Sequence, residues 1–462
     1  MASCAVPLLR QSLLCRSTVP DLYTFYPPET PRRRRKSKRF GGLTWTVMAA
    51  NAVKGEAGYD NPTRLVTFLG KGGSGKTTAA VFAAQHYALS GLKTCLLIHS
   101  RDQTAEYLLN CKIGSSSPIK CNDNLSVIRL ETTKMILEPL KLLKQADARL
   151  NLTQGVLEGV VGEELGVLPG MDSMLSALEL ERLIGFFGIM TRRNTEKEKF
   201  DVVVYDGIST EETIRLIGAT SKSRLYLKYL RSLAEKTDLG RVAGPSLLRL
   251  ADETLNLSGS GANLNGKISS EMWDLLEQRL EKACAIFAEP RKFGCYLVMD
   301  PSNSLSVSSA LCYWGCVIQA GAQISGAFGV APEASATEVA ELMKLKFSPL
   351  HCTFIPHLKI GGDLHWNDIL SSSQSNDARA LLTDTAETAF LSSVQFDPPN
   401  KTVKLFMPGF DKSEIKLYQF RGRSELLVEA GDQRRIVKLP SQIQGKVAGA
   451  KFIDRTLVIT MR

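Results

Sequence analysis

No Cys-x-x-Cys pair occurs anywhere in the 462 residues, although the chain holds ten cysteines. They are scattered, and two (Cys4 and Cys15) lie in the first fifteen residues. That distribution argues against a disulfide framework and fits a reducing compartment. Cys312 and Cys316, one helical turn apart in an apolar stretch, read as small buried thiols rather than as part of a metal site. Long hydrophobic runs are missing too: none approaches the ~20 residues that cross a bilayer as a helix. Net positive charge is small in the body despite a formal net charge of +10 for the whole chain. Residues 1–50 hold nine Lys+Arg against Asp21 and Glu29, a net of +7, which leaves +3 for the other 412 residues. A nucleic-acid-binding body is therefore not indicated.

What remains is ordinary globular material, 44% hydrophobic and 23% charged, and too long for one domain. The basic N-terminal stretch is acid-poor, arginine-rich and sprinkled with Ser and Thr, without the apolar core of a secretory signal. Together with "VMAA" at 47–50, it predicts a transit peptide over residues 1–49 and a chloroplast (stromal) address. A mitochondrial address and a retained basic arm are the alternatives.

The most informative segment is "FLGKGGSGKTTAAVF" at 68–82. Leu65–Leu69 reads as a short buried strand, and Thr77–Leu89 as a helix that stops at Gly91. Between them Gly70, Gly75, Lys76 and Thr77 satisfy the phosphate-loop pattern G-x-x-x-x-G-K-[ST]. The loop Gly70, Lys71, Gly72, Gly73, Ser74, Gly75, Lys76, Thr77, Thr78 is predicted to wrap ATP phosphates with backbone N–H groups at a helix N-terminus. Lys76 is expected on the β- and γ-phosphates and the Thr77 hydroxyl on Mg²⁺. In "FDVVVYDGISTEETIRL", Val202–Tyr205 is a buried strand with Asp206 at its carboxyl end, where doubly wound sheets bind ligands. A carboxylate there holds the shell of Mg²⁺.

These residues resemble a known family. "KGGSGKTT" with Lys71 is similar to the deviant phosphate loop of the dimeric SIMIBI-class ATPases. Within that class "DGISTEETIRL" (206–216) is similar to the D-T-A-P-T-G-H-T-L-R-L switch of the arsenite-pump ATPase and of its relative that targets tail-anchored membrane proteins; Asp206, Thr210, Thr213, Arg215 and Leu216 match. "LPGMD" (168–172) and "FIPHL" (354–358) resemble further family elements, the second placing Pro356 over the adenine. The resemblance implies a homodimer in which Lys71 reaches the partner's nucleotide, with ATP and Mg²⁺ as ligands and apolar client segments and a membrane-bound receptor as partners. The departures are specific. The family aspartate that orients the attacking water aligns with Arg101, one place before Asp102, so either Asp102 serves after a local shift or turnover is slow. Gly-His of the switch is Glu211-Glu212 here, and the seam zinc cysteines and the metalloid cysteines of the relatives are missing.

Residues 168–190 are apolar, with Met171, Met174, Met190 and Phe186-Phe187, and read equally as a client groove or a core helix. Residues 219–289 give helical patterns broken by a loop at 257–266. "SSSQSND" predicts a linker over 371–390, and the body, on this reading, occupies 60–370. From Val394 the apolar residues alternate, which predicts a β-sandwich. "LFMPGFDKSEIKL" and "AKFIDRTLVI" resemble the α-crystallin domain of small heat-shock proteins, over 391–462, with Arg455 where the closing turn usually has glycine. The predicted fold is thus α/β, a doubly wound and mostly parallel phosphate-loop ATPase with helical insertions, followed by an all-β sandwich. The catalytic set is Lys71, Lys76, Asp102 and Asp206. The predicted activity is ATP hydrolysis by a nucleotide-switched homodimer that captures apolar client segments. An anion-transport ATPase subunit and a partition-type membrane-positioning ATPase are the alternatives.

Overall fold

The computed structural model describes residues 63–462 except 100–101, 115–117, 151–170, 186–198, 256–267, 331–335, 357, 359–363, 385–391 and 421–422. Residues 1–49, Arg101, Phe186-Phe187 and Met190 lie outside the described residues.

β1 (Arg64–Leu69) is buried at every position, as its unbroken apolar run predicts for a strand covered on both faces. It sits centrally in an eight-stranded sheet. Beside it run β5 (Val202–Asp206) and β6 (Phe293–Met299), both parallel to it. Beyond β5 come β2 (Thr94–Ile98), β4 (Leu125–Arg129) and β3 (Ile119–Lys120). Beyond β6 come β7 (Gly326–Val330) and β8 (Cys352–Ile355). Among the described strands of this sheet only β3 is antiparallel. The alternation of β1 sorts its side chains: Leu65 and Leu69 join one core, and Val66 and Phe68 join the other. The second core is filled by α1 (Lys76–Leu89), the first by α5 (Thr210–Lys236) and α8 (Ser304–Ala320). Between β2 and α5 lie α2 (Thr104–Leu109), α3 (Thr132–Leu150) and α4 (Met171–Ile184); α6 (Asp238–Leu255) and α7 (Ile268–Ile286) follow α5.

The linker expected to begin at 371 does not begin there. α9 (Ala336–Phe347) and β8 lead into α10 (Trp366–Ser371) and α11 (Asn376–Thr383), and α11 buries Ala378, Leu381 and Leu382 in the second core. Buried Arg64 at the start of β1 donates to the Leu382 carbonyl at 3.0 Å, so the end of α11 is tied to the central strand. Serines in 371–377 bind back to the end of α10 rather than forming a flexible tether: Ser372 Oγ and Ser375 Oγ donate to the Ile369 carbonyl at 2.7 and 2.6 Å.

Two antiparallel sheets close the chain. One has the order β14 (Val447–Ile453), β15 (Thr456–Met461), β10 (Thr402–Phe406), β9 (Val394–Asp397), the other β11 (Ile415–Phe420), β12 (Glu425–Ala430), β13 (Gln433–Lys438). Val403, Leu405, Leu426, Val428, Leu457 and Ile459 fill the space between them. Phe396, expected inward from its alternation, is instead exposed on β9. The β14–β15 hairpin turns through Asp454 (φ 45°) and Arg455 (φ 60°), so an arginine adopts the left-handed geometry usually given to glycine. Its guanidinium donates to the Lys346 carbonyl at the end of α9 at 2.8 Å, an anchor that offsets the backbone cost.

Candidate nucleotide site

The loop after β1 is shaped by what its glycines permit. A Cβ on Gly70 would overlap the Val298 carbonyl of β6 and the Ser74 hydroxyl, so only glycine lets the loop leave the sheet there. Gly75, at φ 92°, turns the chain into α1. No side chain caps the N-terminus of α1 and its first turn has no acidic residue. Its amides and positive dipole end therefore face the loop's hollow. Ser74 Oγ is buried there without a partner. An uncapped helix N-terminus and an orphaned hydroxyl are what a phosphate group would satisfy.

Lys76 folds its ammonium onto the loop, donating to the Gly70 carbonyl at 3.0 Å and the Lys71 carbonyl at 3.3 Å. Burial lowers its pKa, while the charges of Asp206 and Glu211 oppose that shift. Thr77 Oγ1 donates to Asp206 Oδ2 at 2.8 Å, which brings together the two groups expected to share a Mg²⁺ shell. Burial pushes the Asp206 carboxyl up to about 6; the Thr77 hydrogen bond and Lys76 pull it down, and Asp102 raises it further. The donor set fits a divalent cation: one hydroxyl and one carboxylate, oxygen ligands both, at a strand end.

Asp102 stands at the carboxyl end of the neighbouring β2, close enough to act electrostatically on Asp206. Its own carboxylate accepts from the Thr104 amide at 3.3 Å and the Thr104 hydroxyl at 2.5 Å, a local turn just ahead of α2. The strand ends around it are locked: the His99 amide donates to the Asp206 carbonyl at 2.8 Å, and the His99 ring meets the Tyr205 hydroxyl at 3.0 Å. Burial lowers that imidazole to about 4, so it is neutral at pH 7. Thr210, at the start of α5, is bound to the loop twice. Its hydroxyl donates to the Gly70 carbonyl at 2.7 Å and accepts from the Gly70 amide at 2.9 Å. Ser209 caps α5 by accepting from the Glu212 amide.

The structure thus brings together Gly70, Lys71, Ser74, Gly75, Lys76, Thr77 and Asp206, with Asp102 beside them. Gly72 and Gly73 form the exposed tip of the loop and Thr78 lies in the first turn of α1. Pro356 follows β8, three strands from β1 in the sheet, and is half-buried. Sequence reasoning missed Tyr313, whose hydroxyl donates to Glu211 Oε1 at 2.7 Å from 102 residues away; no local pattern marks such a pair. Of the 168–190 segment, the described part is α4. It buries Leu175, Ala177 and Leu180 and packs against α3 and α5, as a core helix does.

A sequence model of the family described as "Anion-transporting ATPase" matches residues 63–309, just over half of the chain. A second, described as "HSP20-like domain found in ArsA", matches 400–461. Among similar curated proteins is one from Prosthecochloris vibrioformis named as an arsenical pump-driving ATPase, 29% identical over 154 residues, or 33% of this chain and 35% of the relative. The ATPase ASNA1 homolog 2 of Paramecium tetraurelia is 28% identical over 165 residues, 34% and 45% of the two chains. The ATPase GET3 of Lachancea thermotolerans is 27% identical over 241 residues, 50% and 62% of the two chains. The chain therefore spans between about a third and three fifths of the length of these relatives.

Proposed function

This chain belongs to the anion-transporting ATPase family, and we propose that within it the protein is a nucleotide-switched homodimer that captures apolar client segments. The family is one of phosphate-loop ATPases, and the uncapped start of α1, the buried Ser74 hydroxyl and the Thr77–Asp206 pair support MgATP as the ligand. Lys76 would exchange its two backbone carbonyls for the β- and γ-phosphate oxygens, and the α1 amides with Ser74 would take the rest of the phosphate charge. Thr77 and Asp206 would hold Mg²⁺, which when bound neutralises charge developing between the β- and γ-phosphates. Asp102, on the β2 side of the same strand ends, is proposed to orient an attacking water, which requires its carboxylate to leave Thr104. Lys71 is proposed to serve the partner's nucleotide, as a cation supplied in trans.

One observation carries the client reading. α5 starts with Thr210 hydrogen-bonded to the phosphate loop and runs for 27 residues, about 40 Å. Its far half exposes Leu225, Tyr226, Tyr229, Leu230 and Leu233. These positions recur at helical spacing and form a single apolar stripe on a surface helix. A shift of the switch at one end is therefore mechanically joined to an apolar surface at the other. On the composition of residues 1–49 alone, the proposed place of action is the chloroplast stroma.

Light scattering tests the dimer. The full chain with a non-hydrolysable ATP analogue should scatter at twice the mass of one chain, and Lys71→Ala should keep nucleotide binding yet lose the closed dimer and turnover. A nucleotide-bound monomer, or a Lys71→Ala protein as active as wild type, contradicts the role in trans.

A further inference from the structure

The switch helix of this chain carries a hazard at its first turn. Glu211 and Glu212 stand where the resembling switch has Gly-His, directly after Thr210. Glu211 is close enough to Lys76 for each charge to act on the other. A free carboxylate beside the lysine of a phosphate loop competes with the phosphate for that cation. Each acid is engaged elsewhere. Glu212 accepts from Arg215 at 2.6 Å, and the Tyr313 hydroxyl donates to Glu211 at 2.7 Å. Burial works upward on the Glu211 carboxyl, but the bonds from Tyr313, its own amide and Ser209, with the charge of Lys76, hold it below the usual range and ionised. Burial and the same carboxylate push the Tyr313 phenol up, so its proton stays on to donate.

Tyr313 lies on α8, and the sandwich seats that helix at backbone level. A Cβ on Gly315 would overlap the Pro408 carbonyl and the ring of Phe410. Gly409, at φ 74°, approaches so closely that a Cβ there would overlap the backbone of Leu311. Trp314 packs edge-on against Phe406 with ring centroids 5.2 Å apart, and Cys316 packs against the sandwich core. Arg215 of α5 is also 3.8 Å from Asp432 of the sandwich. An unbroken run of contacts therefore joins Pro408 and Phe410 through α8 and Tyr313 to Glu211.

We propose that Tyr313 is a positioning residue for the nucleotide site: its hydroxyl parks the Glu211 carboxylate off Lys76, and the docked sandwich keeps Tyr313 in place. The sandwich thus acts in cis to keep Lys76 available for phosphate, and undocking it would weaken ATP binding. This rests on the reading of the loop as an ATP site.

The test is MgATP affinity of the full chain, by calorimetry, with thermal melts alongside. Tyr313→Phe removes one hydroxyl and should weaken binding about three- to tenfold, the scale of one partly exposed charge-assisted hydrogen bond, with an unchanged melting temperature. Adding Glu211→Gln should restore affinity to within about twofold of wild type, because the competing charge is gone. Gly315→Ala, which forces the sandwich off α8, should also weaken binding, and Glu211→Gln should relieve that loss too. Wild-type affinity in Tyr313→Phe, or a loss that Glu211→Gln does not repair, overturns the inference while leaving the ATP site standing. A wild-type chain that binds no ATP removes the site itself, and the inference with it.

Discussion

In β1, β2 and β5 of the body every residue is buried, whereas in β10, β12 and β15 of the sandwich burial alternates along the strand. The body has helices on both faces of its sheet, and β1, β2 and β5 leave no exposed strand surface to offer a ligand. Its chemistry must come from strand ends and the turns beyond them, and Gly70, Asp102 and Asp206 stand there. The sandwich keeps side chains on its outer faces and corners, and it uses corners to dock: Gly409 after β10 and Arg455 in the β14–β15 turn both reach the body. One region supplies a site and the other a contact surface, and the residue patterns of their strands explain the division.

Substitutions at matched positions sharpen this contrast. Leu97→Ala in β2 and Leu426→Ala in β12 each truncate a fully buried leucine, and each should cost ~2–5 kcal/mol, read by denaturant titration. Only the first sits in the sheet that carries the nucleotide loop, so the two variants separate if MgATP protects the Leu97→Ala protein more strongly against unfolding. Equal protection would mean that the two regions unfold as one unit.

Asp206→Asn should abolish the Mg²⁺ dependence of ATP binding. The wild-type carboxyl titrates at about 6, so MgATP affinity should decline as pH falls through 6 and the anionic ligand is lost. The stability sign is opposite. A carboxyl raised in the folded state favours folding below its unfolded value of 3.8, and that contribution disappears as pH rises through about 6. Relative to wild type, the nucleotide-free Asp206→Asn protein should gain stability across that window and keep the gain at pH 7. Thermal melts at three pH values check it, and a variant destabilised at pH 7 would contradict the buried-charge account.

The smallest effect belongs to the surface of α5. Tyr229 is 61% exposed, and Tyr229→Ala should leave stability within about 0.5 kcal/mol of wild type while weakening capture of an apolar helical peptide. A marked loss of stability would return that stripe to the interior packing.

The parts legible in the sequence are local. The apolar run Leu65–Leu69, the loop through Thr77 and the alanine-rich helix that follows lie in one short stretch and fold as read, with α1 beginning at Lys76 rather than Thr77. Asp206 was legible because a buried strand ends on it. The switch departures Glu211 and Glu212 were visible as unusual, but not their partners. Tyr313 is 102 positions from Glu211, and the Leu382 carbonyl that ties α11 to Arg64 is 318 positions away. The polar stretch at 371–377 misled because serine binds back to nearby backbone as readily as it forms tethers, and burial of the helix after it decided between them. Cys111 and Cys121, ten apart, meet at 3.1 Å between Sγ atoms across the end of α2 and the turn after β3, a pairing that spacing does not announce.

In the proposed function the loop after β1 binds MgATP through Lys76. Calorimetric titration of MgATP into the wild-type chain and into Lys76→Ala tests it most directly. Wild type should bind one nucleotide per chain and the variant should lose roughly a hundredfold or more of that affinity, because the phosphates lose their principal cation. Equal affinity in the two proteins, or no binding by wild type, would contradict it.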